Sequence, residues 1–320
     1  MSVAVDRPVD VSIVIISYNT RDWLGTCLSS IPKSVVTRSV EVIVIDNASK
    51  DGSADEVAKN FPAVRLERNN SNAGFAKAVN QGAALATGQY VLLLNPDGYL
   101  QPGAIDRLVD FAESNPRYII VGGRTLTPDG EVDPRSCWAA PTLWSLASSA
   151  LLLSAAWPRS RLFDPEAMGG FSRDHAREVD VVTGCLFLMA RDDWRALGGL
   201  DEKYFVYGED ADLCLRAKRQ TGRVCAITPD AVMIHAVGAS SATRADKLEL
   251  LLKGRIALVQ THFLGWKSPV GRGLIIAGVW VRALLERLGV NRQTSWREVW
   301  RRRAHWQDGY PPVGAAASSS

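Results

Sequence analysis

The chain predicts an α/β fold, a mostly parallel central sheet with helices on both faces, followed by a C-terminal helical extension. Three observations lead there. Between Ser12 and Pro116, short β-branched or leucine-rich runs alternate with helical periodicities, as in consecutive βαβ units. The run Val91 to Leu94 is apolar without a break and stops at Asn95-Pro96-Asp97, as a strand buried on both faces does where it surfaces. Beyond Ser241 the strand patterns give way to helical ones.

Taken in order, Val11 to Ser17 is a first strand rich in β-branched residues. Tyr18-Asn19-Thr20 then turns into a helix whose apolar face is Trp23, Leu24, Cys27, Leu28 and Ile31, with Pro32 as its stop. Val40 to Ile45 is a second strand, closed by Asp46-Asn47. Ser53 and Glu56 have capping-box spacing for a helix running to Asn60. Val64 to Glu67 is a short third strand. Asn72-Ala-Gly74 leads into a helix from Phe75 to Ala86, with Gly88 as its cap. After the strand that ends at Asp97, Pro102 opens a helix striped by Ile105, Leu108, Val109 and Ala112. In an open parallel sheet the polar strand ends gather on one rim, so Asn19, Asp46 and Asp97 are expected to converge.

The second half is less regular. Ile119 to Gly123 is a strand, and Val179 to Ala190 another, interrupted at Thr183-Gly184-Cys185. Leu143 to Trp157 is uncharged and shorter than the roughly 20 residues a membrane span needs; it is either a buried helix or a lid or interfacial helix. Glu209, Asp210 and Asp212 suit a helix N-terminus. Val224 to Thr228 and Val232 to His235 are two further strands. The boundaries expected are an arm over 1–10, an α/β domain over 11–241 with halves 11–123 and 124–241, a basic helical region over 242–307, and a disordered tail over 308–320.

A chain of 320 residues can hold one large domain with an appendage. Met1 to Asp10 has no apolar core and reads as no signal peptide. The five cysteines are scattered, odd in number and without a Cys-x-x-Cys pair, which points to reduced thiols in a cytosolic setting and away from structural zinc. The net charge of +3 hides an asymmetry: Gly265 to His305 holds nine Lys/Arg against two Asp/Glu, a local +7 on a body of −4. That basic, Trp-bearing stretch either docks on an anionic membrane surface or is a solvated helical pair. No nucleic-acid-binding motif accompanies the charge, so nucleic acid is not expected as a partner.

Asp97, a short carboxylate at the end of a central strand with the Asn95 amide two residues away, suits a hard divalent cation that holds phosphates. Asp46, Asp210 and His235, each taken alone, read first as a turn acid, a helix cap and a half-buried histidine. Asn72-x-Gly74 before a helix is either a turn or part of a phosphate site.

The ordered set is more telling. Ser12-Ile-Val-Ile-Ile-Ser-Tyr-Asn19, Val44-Ile-Asp-Asn-Ala-Ser-Lys-Asp-Gly-Ser53 and Asn72-Ala-Gly-Phe-Ala-Lys-Ala-Val-Asn-Gln-Gly82 come first. Leu93-Leu-Asn-Pro-Asp97, Thr183-Gly-Cys185, Gly199 to Arg216 and His235 to Ser241 follow. Over residues 10 to 241 this resembles glycosyltransferase family 2, with a GT-A fold, nearest its rhamnosyltransferase-like branch. The resemblance implies an inverting transferase moving a sugar, L-rhamnose from dTDP-rhamnose, to a polyprenyl-linked or polysaccharide acceptor at the cytoplasmic membrane face. Other nucleotide-sugar donors (UDP-hexose, UDP-GlcNAc) are the nearest alternative. A sugar-1-phosphate nucleotidyltransferase or a non-catalytic glycan- or nucleotide-binding protein lies further off. The nucleotidyltransferase needs a Gly-rich basic loop after the first strand, where this chain has Ser17-Tyr-Asn-Thr20.

The resemblance also implies roles. Asp46 accepts from the pyrimidine N3–H, Tyr18 and Asn19 line the base, and Asn72 and Gly74 shape the ribose and phosphate side. Asp97 binds Mg²⁺ or Mn²⁺ on the diphosphate, with His235 as second ligand. Asp210 is the general base, and Glu209 and Gly184 face the acceptor. Asn95 stands where the family often has the first Asp of Asp-x-Asp, removing one charge.

Overall fold

The computed structural model describes residues 8–235, 243–290 and 295–311. Its centre is one mixed sheet built from β1 (Val11–Ser17), β2 (Val40–Asp46), β3 (Arg65–Arg68), β4 (Tyr90–Leu94), β5 (Gly98–Leu100), β6 (Tyr118–Leu126), β8 (Arg177–Val179), β10 (Leu186–Ala190) and β11 (Val224–His235). The order is β3-β2-β1-β4-β10-β6-β11-β5, with β8 pairing β11; β7 (Cys137–Trp138) and β9 (Val181–Val182) form a separate ribbon. β3, β2, β1 and β4 are mutually parallel, and β6 and β11 run the same way. β10, β5 and β8 run against them. The chain winds outward from β1 to β3 and returns to β4 on the far side of β1. That reversal opens a crevice between the loops after β1 and β4, where α/β sheets bind ligands.

Both faces are covered because the strand residues alternate. Val14 and Ile16 of β1, with Val91 and Leu93 of β4, pack under α3 (Phe75–Leu85), α7 (Arg191–Ala196) and α8 (Glu209–Thr221). Ile13 and Ile15, with Leu92 and Leu94, pack under α1 (Arg21–Ser34), α2 (Ser53–Asn60) and α4 (Ala104–Ser114). The period of two thus feeds two cores from each strand.

A third core joins α5 (Leu143–Ala150) to α9 (Arg244–His262), α10 (Lys267–Arg287) and α11 (Trp296–Arg301), around Leu146, Ile256, Val259, Ile275, Val279, Val299 and Trp306. The Leu143–Trp157 stretch is two short helices, α5 and α6 (Leu153–Ala156), with Trp144 and Leu151 exposed.

Several local expectations are corrected. Pro32 lies inside the last turn of α1, which runs on to Ser34, and Trp23 is exposed rather than on the buried face. The capping box at Ser53 does not form: the N-cap is Gly52, Ser53 bonds Asp51, and Glu56 pairs with Arg21. Ala86, not Gly88, caps α3, and Gly103, not Pro102, precedes α4. The two strands expected over 224–235 are one strand with a bulge between Ile227 and Val232. The expected tail is ordered at its start: Tyr310 is buried against Tyr204 and Ala257. Residues 312–320, the arm over 1–7, and the Ala236 to Ser241 part of the His235 motif, with the 241 boundary, lie outside the described residues.

Candidate active site

Two loops at the ends of parallel strands form one wall of the crevice. After β1, Asn19 sits at φ 55°, its N–H donating to Ser49 Oγ at 2.9 Å while its Oδ1 accepts from Lys50 N at 2.8 Å. This knots the β1 loop to the β2 loop. Tyr18 beside it is exposed. Asp46, at the end of β2, is 3 % exposed; its Oδ2 accepts from Ser49 N at 3.0 Å, and its Oδ1 is buried with no hydrogen-bond partner. A buried carboxylate oxygen left open is costly unless a ligand donor meets it.

The Asn72–Gly74 loop closes the far end. Asn72 Oδ1 accepts from Gly74 N at 3.0 Å, and Asn47 Nδ2 donates to Gly74 O at 3.2 Å. Gly74 has φ 85°, and a Cβ there would lie 2.7 Å from the carbonyl oxygen of Phe205. Phe75 N donates to that same oxygen at 2.6 Å. Only glycine permits this approach, and it ties the Asn72–Gly74 loop to the segment leading into α8.

On the rim after β4, Asp97 Oδ1 lies 3.1 Å from His235 Nε2, and Asn95 Nδ2 is 3.5 Å from the same nitrogen. The β5–β11 pairing, in which His235 faces Gly98, brings them together. Behind the imidazole, Nδ1 is 3.5 Å from Oδ2 of Asp133, an ion-pair distance too long for a good hydrogen bond. Asp133 is 1 % exposed and held by Arg135 through N, Nε and Nη2. Burial by itself lowers the His235 pKa, but Asp133 and Asp97 outweigh it and raise it to about 9. Burial also works against the Asp133 carboxylate, yet His235 and Arg135 hold it well below the usual range.

Asp97 and His235 fit a divalent cation. Two ligands at adjacent corners of an octahedron with bonds of about 2.1 Å stand about 3 Å apart, close to their separation. Asp133 behind the imidazole supplies the carboxylate–histidine backing common at metal sites. Among the described residues no three His, Cys, Asp or Glu side chains make a complete cage, so the remaining positions would fall to water and substrate oxygens, as is usual where a cation holds phosphates.

The opposite wall is the start of α8. Gly184 N donates to Asp210 Oδ2 at 3.1 Å, and Ala211 N donates to Oδ1 at 2.7 Å. The next residue of the same strut reaches the rim after β4: Asn95 N donates to Cys185 O at 3.0 Å. Thr183–Cys185 therefore bridges the Asn-Pro-Asp turn and the Glu-Asp helix start. Burial raises the Asp210 carboxyl above the usual aspartate range against those amide donors. Glu209 is buried, its Oε2 without a partner; burial first, then the charges of Asp210 and Asp212, raise its pKa well above the ordinary value. Tyr207 joins the two walls electrostatically: burial, then the charges of Glu209 and Asp97, raise its hydroxyl.

Behind α8 stands the C-terminal region. Asp212, fully buried, bonds Arg216 Nε at 2.6 Å and His262 Nε2 of α9 at 2.8 Å. Gly254 of α9 crosses Tyr207 so closely that a Cβ would sit 2.0 Å from the Tyr207 carbonyl oxygen. The Tyr310 hydroxyl accepts from Val206 N at 3.3 Å and donates to Val206 O at 2.6 Å. Three contacts thus brace the loop that presents Glu209 and Asp210, and none was legible as a motif. Asp133 was missed too, because Asp133-Pro-Arg reads as the helix cap that it also is.

A crevice at the switch point of a mostly parallel sheet is where α/β enzymes hold nucleotides, and fold and site place the protein in that class. Comparison with known proteins supplies the family. The profile described as Glycosyl transferase family 2 matches residues 12–180, and one described as the N-terminal domain of galactosyltransferase matches 173–237. The chain belongs to glycosyltransferase family 2 and is a nucleotide-sugar-dependent glycosyltransferase. It is 30 % identical over 275 residues to the N-acetylglucosaminyl-diphospho-decaprenol L-rhamnosyltransferase of Mycobacterium tuberculosis, covering 81 % of this chain and 87 % of that one. It is 27 % identical to the glucosyl-dolichyl phosphate glucuronosyltransferase of Haloferax volcanii over 66 % of this chain and 64 % of that one. Among solved structures, GalNAc-T7 with UDP, GalNAc and Mn²⁺ superposes with a TM-score of 0.59 at 17 % identity, covering 94 % of this chain and 55 % of that one. The mannosyltransferase PcManGT of Pyrobaculum calidifontis with GDP-Man and Mn²⁺ gives 0.56 at 16 %, covering 94 % and 86 %. These likenesses establish the GT-A fold.

Proposed function

We propose that the protein transfers L-rhamnose from dTDP-rhamnose, with inversion, to a polyprenyl-linked or polysaccharide acceptor at the cytoplasmic face of a membrane. The observation that carries this reading is the Thr183–Cys185 strut, which holds Asp210 and the Asn95–Asp97 turn on one rim. The mycobacterial relative's name supports both the sugar and the lipid-diphosphate acceptor.

In this reading the open Oδ1 of Asp46 accepts the base N3–H, with Tyr18 and Asn19 beside the ring. The Asn72–Gly74 loop borders the ribose and phosphates. Asp97 and His235, flanked by Asn95, hold Mg²⁺ or Mn²⁺; the nitrogen ligand tilts the preference toward Mn²⁺. Such an ion neutralises the leaving diphosphate. Asp210 takes the acceptor hydroxyl's proton. Glu209, whose buried carboxyl resists ionisation, positions the acceptor and is a poor nucleophile. One base without a carboxylate nucleophile gives inversion. Gly184 fixes Asp210 from the acceptor side.

The test is a panel of nucleotide-sugars assayed for metal-dependent transfer to a polyprenyl-diphosphate-linked GlcNAc acceptor, with product stereochemistry by NMR. dTDP-rhamnose is expected to lead. Preference for a UDP-sugar overturns the donor, and retention of configuration overturns the role of Asp210.

A further inference from the structure

Helix α10 is, among the described residues, the one long and apolar enough by composition to cross a bilayer, yet only 28 % of its most apolar window is buried. It does not stand alone. Ile275 and Val279 on one side pack into the C-terminal core with Ile256 and Val259 of α9. The opposite side is a stripe at spacings of three and four: Trp266, Val270, Gly273, Ala277, Trp280 and Leu284, each exposed. Leu288 continues it at 69 % exposure. No charged residue interrupts the stripe, which runs about 33 Å along the helix.

The cations of α10 explain why. Arg272 turns to Gln307 O and Asp308, and Arg282 turns inward to Ser149 O and stacks on Trp296. Lys267 and Arg287 remain exposed at the two ends, and α11, whose Arg297 N donates to Glu286 near the C-terminal end of α10, exposes Arg297 and Arg301. The apolar surface also broadens sideways, since Ala150 of α5 abuts Gly278 and the next residue, Leu151, is 66 % exposed. One face buried in the core excludes a spanning pose. A two-fold dimer through this face would oppose like charges, because a symmetric interface meets itself. An apolar stripe with tryptophans and cationic ends is the signature of a helix lying in a membrane interface.

We propose that the Trp266–Leu288 face of α10 docks flat on an anionic lipid surface, with Lys267, Arg287, Arg297 and Arg301 on the headgroups. This deepens the membrane-facing part of the proposed function, and its test uses vesicles without any glycan acceptor, so that it stands or fails apart from sugar transfer.

The full chain is sedimented with vesicles of phosphatidylcholine alone and with equimolar phosphatidylglycerol. Binding is expected to the anionic vesicles, weakening with salt. The double variant Trp266→Ser/Trp280→Ser is expected to bind about tenfold or more weakly with an unchanged melting temperature, both side chains being exposed. Lys267→Gln/Arg287→Gln is expected to lose the preference for anionic lipid. Tryptophan emission quenched by brominated lipid in the parent protein reads the insertion directly. The proposal is overturned by absence of binding, by equal binding of the serine variant, or by a concentration-dependent dimer in sedimentation velocity that the serine variant abolishes, which would assign the face to a second copy.

Discussion

Gly184 holds Asp210 through its backbone amide, at 3.1 Å, with no side chain of its own involved. The carboxylate is therefore oriented by the loop between β9 and β10, the same loop whose Cys185 carbonyl receives Asn95. Asp210→Asn keeps the size, retains an acceptor for only one of the two backbone amides, Gly184 N or Ala211 N, and loses the base. We expect transfer to fall by about 10²–10⁴-fold while donor affinity, measured by calorimetry, changes little.

The pH profile follows with a definite sign. As the proposed base Asp210 must be deprotonated, and burial raises its pKa above the ordinary aspartate value of about 3.9. Activity is then lost as pH falls through that raised pKa, so the acid limb of kcat/KM should lie higher than an exposed aspartate would give. A limb at the ordinary value would remove Asp210 from the role.

Asp133 sits behind His235, and in the proposed metal site it would orient the imidazole. Asp133→Asn should weaken Mn²⁺ binding by about 10–100-fold, read by the EPR signal of free Mn²⁺, with nucleotide binding in the absence of metal unchanged.

Asp212 is a stability residue inside α8. Burial works against its charge, but His262 and Arg216 hold its pKa below the ordinary value. Its stabilising contribution is therefore present above about pH 3.9 and lost as pH falls through the depressed folded value. Removing the carboxylate by Asp212→Ala strands two partners and should cost about 3–5 kcal/mol at neutral pH, measured by urea unfolding. The deficit of the variant should shrink as the solution is acidified.

Gly254→Ala gives a test whose sign decides. In an open helix the change gains up to about 1 kcal/mol. Here the new methyl would meet the Tyr207 carbonyl at 2.0 Å. We expect destabilisation of about 1–3 kcal/mol and a lower kcat, because Tyr207 and Gly208 lead directly into Glu209. A stabilised, fully active variant would show that α9 does not brace the site.

The sheet was legible because buried strands and amphipathic helices write their period into the chain. β1 and β4 came out at their observed ends, since Ser17 and Asn95 mark an abrupt change from apolar to polar. What was not legible was set by tertiary contact. The antiparallel sense of β10 and β5 depends on partners far away in sequence. Pro32 lies inside α1, which ends two residues later at Ser34. The site residues singled out from sequence gather in two groups, Tyr18, Asn19, Asp46 and Asn72–Gly74 on one side, Asn95, Asp97, His235, Gly184 and Asp210 on the other. The buttress formed by Gly254, His262 and Tyr310 leaves no sequence signature, because small residues and single aromatics look like packing.

The bulge in β11 has one more consequence. Against β6, Ile227 faces Gly122 and Val232 faces Arg124, so five steps on one strand match two on the other. Three surplus residues are an odd number, and an odd surplus inverts which side of the sheet every later side chain takes. The imidazole at the strand's end thus owes its side to a count. Beyond the bulge β6 and β5 both hold the strand in register, so the surplus is taken up by Thr228–Ala231 and the imidazole is kept facing Asp97.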